Sequence, residues 1–549
     1  MAEMTGGQAL ARALKGEGVQ TIFGLPGIQL DWAFDALYDE RESIHIVHTR
    51  HEQATAYMAD GYARTTGRIG ISLVVPGPGL LNTTAALSTA YACSSPVLCL
   101  TGQINSDLIG LGRGVLHELP DQLRMIGGVT KWAARPMHPT EIPRLVREAF
   151  RQLRVGRPRP VELEIPPDIL QMKADVELLP PAPINRPVGD LDLIERAAKA
   201  LGQARQPVIF TGGGVLSGNA WEELRQLAEL LEAPVFASDN GRGAISDRHY
   251  LSQPIPAVAD LVPTADVVLA VGTRFLAPTM PIWPTDTGRI VIQLDVDSQE
   301  IGRNLEPTIG IVADAKVGLA ALVDRVARHN RQRPSRRDEL MTIKRRWEAD
   351  FDAVQPQAAL ARAIRAELPD DGLYVSESTQ VGYWSHVAFP VYQPRSYITS
   401  GYQGTLGYGF ATALGVQVGN PEKKVVSVNG DGGFMFNVQE LSTAARHQIN
   451  LVTVVFDDGA FGNVRRIQKE SFNGHTIASD LQNPDFVKLA EAFGVRGVRA
   501  EGAENLRLAV REALRANAPS LISVPVPQFL GMPAYMRGRA HAPRVPVQA

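Results

Sequence analysis

Val425-Val426-Ser427-Val428-Asn429-Gly430-Asp431-Gly432-Gly433-Phe434 reads as a buried strand that stops on a glycine-flanked aspartate. Apolar residues followed by Gly-Asp-Gly-Gly suit a strand end where backbone approaches a ligand closely, although a plain βα turn has the same composition. Downstream, a helical stretch over 439–447 leads into a second apolar strand, 451–456, which ends in Asp457-Asp458-Gly459-Ala460-Phe461-Gly462-Asn463. Two neighbouring parallel strands then present oxygen donors at one carboxyl edge, where open α/β sheets bind ligands. Hard oxygen donors suit Mg²⁺, whose octahedral shell is usually completed by phosphate oxygens. Glycine amides beside Asp431 at a helix N-terminus suit the phosphates themselves.

At 549 residues the chain is too long for one core and implies about three domains. Apolar content of 44% with 21% charged residues is that of a soluble globular protein. A net charge of −3 makes no electrostatic case for nucleic acid or an acidic membrane. With only Cys93 and Cys99, no basic and apolar leader after Met1 and no long apolar run, the expectation is a reduced, cytoplasmic setting.

In the first third, helical and strand patterns alternate. Helices over 8–17, 31–38, 51–63 and 81–92 precede strands over 20–24, 44–48, 70–75 and 96–101, which predicts βαβ units and a parallel sheet. Glycine and proline gather at the strand ends, in Gly24-Leu25-Pro26-Gly27, Pro76-Gly77-Pro78-Gly79 and Thr101-Gly102-Gln103. Glu52, in Arg50-His51-Glu52-Gln53-Ala54, follows a strand and opens a helix. A glutamate there is ordinarily a dipole partner.

Taken together, these words resemble the thiamine-diphosphate enzymes, and most closely acetohydroxyacid synthase and its relatives. In that family the aspartate of Gly-Asp-Gly, the second residue of a later pair and the carbonyl two residues on hold Mg²⁺ and the diphosphate. Those positions fall here on Asp431, Asp458 and Ala460, flanked by Gly430, Gly432 and Gly433. The family pair is usually Asn-Asn, so Asp457-Asp458 adds a negative charge beside a diphosphate, for which Arg465 or Arg466 would compensate. Arg-His-Glu-Gln-Ala, then Met58-Ala59-Asp60-Gly61-Tyr62-Ala63-Arg64, Pro-Gly-Pro-Gly and Thr-Gly-Gln resemble the pyrimidine-binding domain. The resemblance places Glu52 on N1′ of the aminopyrimidine, a role that calls for a dry site and a raised pKa. It also places Pro26 beside the cofactor and Ile28, Gln103, Leu116, His117 and Lys131 around the substrate. Leu116-His117-Glu118 stands where the synthases carry Phe-Gln-Glu, and a histidine there is either a proton-transfer group or a solvated loop residue.

The proline-rich 173–187 reads as a linker into a Rossmann-like unit with strands over 207–211, 234–237, 267–271 and 290–295. Without a clean G-x-G-x-x-G and a matching acid, a nicotinamide cofactor is not expected. The synthases carry FAD on this domain, and Gly212–Gly214, Thr273-Arg274-Phe275 and Asp295-Val296-Asp297 fall on its adenosine-facing positions. The flavin-side loop is shortened to Leu251-Ser252-Gln253-Pro254-Ile255-Pro256, which counts against FAD. The charged stretch 327–357 mixes both signs and reads as an exposed connecting helix.

In the last third, the strand 373–376 leads to Glu377-Ser378-Thr379-Gln380, where Ser378, Thr379 and the Gln380 amide suit diphosphate oxygens. Four glycines crowd 400–409. There the resemblance gives the Gly404 carbonyl to the 4′-amino group and makes Leu406 the wedge that bends the cofactor. Ile467 replaces a tryptophan of the synthases that selects the second substrate. The tail 532–549 reads as either an active-site cover or a disordered end.

The expected architecture is α/β with three doubly wound parallel-sheet domains: pyrimidine-binding over 1–172, Rossmann-like over 187–328 and diphosphate-binding over 357–530. The resemblance implies a thiamine-diphosphate and Mg²⁺ enzyme that decarboxylates a 2-keto acid and joins the remainder to an acceptor. Its rivals are a simple 2-keto acid decarboxylase, a flavin-dependent oxidase and a cofactor-binding homologue without turnover. In the family the active site forms between two copies, so a homodimer or homotetramer is expected.

Overall fold

The computed structural model describes residues 2–275 and 288–536. Three six-stranded parallel sheets carry the fold. The first uses β2 (Thr21–Gly24), β3 (His45–His48), β4 (Gly70–Val74), β5 (Val97–Gly102), β6 (Trp132–Ala134) and β7 (Val161–Ile165), in the order β3-β2-β4-β5-β7-β6. Beside it, β1 (Ala2–Thr5) pairs antiparallel with β8 (Lys173–Val176). The first domain therefore closes on β8, a few residues beyond the expected boundary at 172.

The middle sheet comprises β9 (Pro207–Thr211), β10 (Val235–Ala237), β11 (Ser252–Gln253), β12 (Val267–Val271), β13 (Ile290–Asp295) and β14 (Ile309–Val312). Its order, β11-β10-β9-β12-β13-β14, is that of a dinucleotide-binding sheet. The last sheet comprises β15 (Leu373–Ser376), β16 (Tyr397–Thr399), β17 (Val425–Gly430), β18 (Val452–Asp457), β19 (Arg496–Arg499) and β20 (Ser520–Pro525), ordered β16-β15-β17-β18-β20-β19. Counted along the chain, the first and last sheets share one topology.

Those two domains also share a core. The helix Glu52–Thr66 crosses the helix Tyr408–Gly419 through glycines: a Cβ on Gly61 would stand 2.3 Å from the Thr412 carbonyl oxygen, and one on Gly415 would stand 2.0 Å from that of Met58. Tyr57, Met58, Tyr408, Phe410 and Phe434 are buried around this crossing. Each such side chain contributes roughly 1.5–3 kcal/mol on leaving water. The middle domain has its own core and touches the others through polar bridges. Arg242 donates to the carbonyls of Ser385 and His386 (2.6 and 3.1 Å) and of Phe389, closing the C-terminus of the helix Gln380–Ala388. The connecting stretch forms the helix Arg337–Asp352, which buries Leu340 against the middle core. Of the tail 532–549, only residues up to Met536 fall among those described.

Candidate active site: two half-sites on one chain

Because β17 and β18 pair with Gly430 opposite Phe456, Asp431 and the Asp457-Asp458 pair emerge side by side at the carboxyl edge of the last sheet. Burial first, then the neighbouring Asp458 and Asp457, push the Asp431 carboxyl up to about 6, while bonds from Asn483 and the Gly432 amide oppose this. Asp458 is also shifted upward by burial, against the pull of Arg465 and of the Ala460 and Phe529 amides. Arg465 thus supplies part of the expected compensation, although it is also paired with Asp480 at 2.7 Å. Arg466 is held by Glu470 and Asn463.

Sequence reasoning missed Asn483. Its Nδ2 donates to Asp431 Oδ2 at 2.6 Å and to Asp457 Oδ1 at 2.8 Å, so one amide ties the two acidic strand ends together. Among the described residues no three His, Cys, Asp or Glu side chains gather into a metal cage. Two carboxylates and the Ala460 carbonyl do fit Mg²⁺, which takes its remaining ligands from water and diphosphate.

On the neighbouring strand, Ser378 and Thr379 lead into the helix Gln380–Ala388, whose first-turn amides have no acceptor within the helix. Gln380 needs a correction. Its Nε2 donates to the Pro527 carbonyl at 3.1 Å and its Oε1 accepts from Gln357 at 2.8 Å, so its backbone amide, not its side chain, is available to a phosphate. Glu377, the residue before, was missed as well. It is fully buried, with Oε1 accepting from the Gly407 amide at 2.7 Å and Oε2 without a partner. Burial pushes its carboxyl up to about 8, despite bonds from the Gly407 and Tyr408 amides. A Cβ on Gly433 would stand 2.3 Å from Glu377 Oε1, so only glycine fits there. Glu377 therefore joins the Gly-Asp-Gly-Gly turn to the loop that carries Gly404 and Leu406.

Ser378, Thr379, Gln380, Gly404, Leu406, Gly430, Asp431, Gly432, Gly433, Asp458, Ala460 and Ile467 all line one cleft of about 2170 Å³. This cleft continues to the Rossmann-like sheet at Gly212–Gly214, Thr273, Arg274 and Asp295. Several of the groups expected to face an adenosine also have neighbours within the chain. Gly212 and Gly214 pack on Gly272, Arg274 donates to the Ala92 carbonyl and lies over the Tyr402 ring, and Asp295 accepts from the Asp297 amide at 3.0 Å.

Pro26, Ile28, Glu52, Gln103, Leu116, His117 and Lys131 do not line that cleft. Most of them form a second cluster at the carboxyl edge of the first sheet. Glu52 opens its helix, where His51 is the N-cap, accepting from the Gln53 amide at 3.1 Å. Asn82 donates to Glu52 Oε2 at 2.9 Å, and Glu440 accepts from the Arg50 amide at 3.1 Å on both oxygens, which sets the approach to Glu52. Pro26, Ile28 and Leu116 are exposed around this cluster, the last two at 65% and 62%.

Two expected substrate contacts are corrected. Gln103 is buried, with Oε1 accepting from the Ile104 amide and Nε2 donating to Glu164, so it braces the sheet from within. Glu164 also takes bonds from Gln122 (2.7 Å) and Arg135, and Gln122 accepts from the Gly77 amide at 3.0 Å, which anchors the 76–79 turn. Lys131 precedes β6 and therefore lies at the amino edge, away from Glu52. Its Nζ donates to the carbonyls of Val155 and Arg157 at 3.0 Å each, and burial, then Arg159 and Arg151, lower its pKa to about 8.

The chain matches three family models in order: the N-terminal thiamine pyrophosphate (TPP) binding domain of thiamine pyrophosphate enzymes over residues 4–125, their central domain over 194–322 and their C-terminal TPP binding domain over 377–524. A probable acetolactate synthase large subunit of Methanocaldococcus jannaschii is 34% identical, covering 96% of this chain and 93% of its own. A probable 2-ketoarginine decarboxylase of Pseudomonas aeruginosa is 33% identical (95% and 94%), and the acetolactate synthase isozyme 3 large subunit of Escherichia coli is 31% identical (94% and 93%). The chain belongs to the thiamine-pyrophosphate-dependent enzymes of the acetolactate synthase type.

Proposed function

We propose that the protein decarboxylates a 2-keto acid and transfers the remaining fragment to an acceptor, using thiamine diphosphate and Mg²⁺ bound between two copies of the chain. The observation that carries this reading is the separation of Asp431 and Asp458, which line the cleft of the last domain, from Glu52, which lies outside it beside exposed apolar residues on the first. When bound, the cofactor supplies the nucleophilic carbon and the electron sink for loss of CO₂. Asp431, Asp458 and the Ala460 carbonyl hold the metal. Ser378, Thr379 and the helix N-terminus at Gln380 take the diphosphate. Leu406 and the Gly404 carbonyl, which line the same cleft, would support the cofactor and accept from its amino group. Asn82 occupies Glu52 Oε2 and leaves Oε1 to hold or release the proton at the ring nitrogen.

A second reading, decarboxylation to an aldehyde alone, is favoured by His117, an acid–base side chain next to the exposed Leu116. Two free cysteines, Cys93 and Cys99, suit a reducing cytoplasm.

The test mixes two variants, Glu52→Gln and Asp431→Asn, each inactive alone. If each site takes Glu52 from one copy and Asp431 from the other, random mixing restores about a quarter of wild-type turnover. No recovery in mixed dimers shown to form by mass would refute the shared site. Products from a panel of 2-keto acids separate the two readings: a ligated hydroxy-keto product supports the first and free aldehyde alone the second.

A further inference from the structure

Gln29 is buried at 7% exposure under the 116–118 loop and bonds to it with both ends of its amide. Nε2 donates to the Leu116 carbonyl at 3.2 Å, and Oε1 lies 3.0 Å from His117 Nδ1. A carbonyl oxygen can only accept, so the NH₂ of Gln29 must face Leu116 and its oxygen must face the imidazole. Oε1 can likewise only accept, which puts a proton on Nδ1. His117 itself sits in left-handed backbone at φ 68°, uncommon for a residue with a side chain and often found where function over-determines a loop. Its carbonyl packs on Gly77, and the same turn reaches Glu52, whose Cγ would lie 3.7 Å from a Cβ on Gly79.

We infer that Gln29 is a positioning residue that holds His117 as the Nδ1–H tautomer, so that Nε2 is the nitrogen that exchanges a proton on the face carrying Glu52. As an acid, the doubly protonated ring releases the proton on Nε2. As a base, the neutral ring takes one there, and Nδ1–H stays on Gln29 throughout. The exchange rests on the acid–base role given to His117 above, whereas the tautomer does not.

The decisive measurement is a long-range ¹H–¹⁵N correlation spectrum of the full chain, without cofactor, labelled with ¹⁵N-histidine and assigned by loss of the signal in His117→Gln. The neutral ring should show a protonated Nδ1 and a bare Nε2. In Gln29→Leu this pattern should mix or invert, and kcat should fall roughly ten- to a hundredfold with little change in KM. Gln29→Glu keeps an acceptor for Nδ1–H but loses the donor to Leu116, so it should retain the tautomer and recover kcat. A merely structural Gln29 would make the Glu and Leu variants alike. A wild-type ring protonated on Nε2, or no spectral change in Gln29→Leu, overturns the assignment. Full turnover in His117→Gln would remove the acid–base role and leave the tautomer standing.

Discussion

Glu377→Gln removes the most unusual charge site of the last domain. The Glu377 carboxyl is fully buried, with Oε1 accepting from the Gly407 amide and Oε2 unpartnered. Burial lifts it from an ordinary 4.5 to about 8. Its folded pKa therefore lies above its unfolded one, and the folded chain keeps a proton that the unfolded chain has released. The stability that this proton supplies is complete below about pH 4.5 and is lost as pH rises through 8, at a limiting rate of about 1.4 kcal/mol per pH unit. Glutamine does not titrate, so the variant should gain on the wild type by about 3 kcal/mol between pH 5 and 7.5. Its amide nitrogen, left in place of Oε2 without an acceptor, should lower stability by about 1–3 kcal/mol at the acid end. The assay is hydrogen exchange on peptides spanning residues 405–410 in the cofactor-free chain, corrected for intrinsic rates, with opening free energies compared at each pH. Parallel profiles for the two proteins would show that Glu377 is ionised in the fold, and would refute the neutral carboxyl.

Two further substitutions probe the half-sites. Asn483→Ala leaves the Asp431 and Asp457 carboxylates without their shared donor, so Mg²⁺ affinity measured calorimetrically with thiamine diphosphate present should fall about ten- to a hundredfold; unchanged affinity would show that the metal orders these groups unaided. Arg135→Met removes the cation from the buried Glu164 beneath Gln103 and Gln122, and should lower stability by about 3–5 kcal/mol in urea unfolding followed by exchange on β5 and β7 peptides; unchanged stability would show that Glu164 does not depend on that cation.

Local chemistry was enough to bring Asp431 and Asp458 to one strand edge. A strand closing on Gly-Asp-Gly-Gly and a later strand closing on paired aspartates must bring Asp431 and Asp458 together if the strands are parallel neighbours, and β17 pairs with β18. Glu52 at a helix start, the glycine loop at 404 and the three-domain order were legible for the same reason: each depends on residues close in sequence. The failures came where side chains choose between distant partners. Gln103 turned inward because Glu164, 61 residues further along the chain, offers a buried carboxylate. Lys131 went to the opposite edge because its strand begins there, and the Gln380 amide went to Gln357 and Pro527. Asn483 and Gln29 carry no motif. An amide becomes a clamp only when the fold brings two acceptors, or an acceptor and an imidazole, within 3.2 Å of it.

What the sequence determined by itself is the strand-end chemistry, because a turn, a cap or a ligand-facing glycine is decided within a few residues. Only the tertiary structure decided that Asp431 lines the large cleft while Glu52 lies outside it. Gly61 and Gly415 let two helices from distant parts of the sequence cross at backbone contact, and that crossing sets how the first and last sheets are placed.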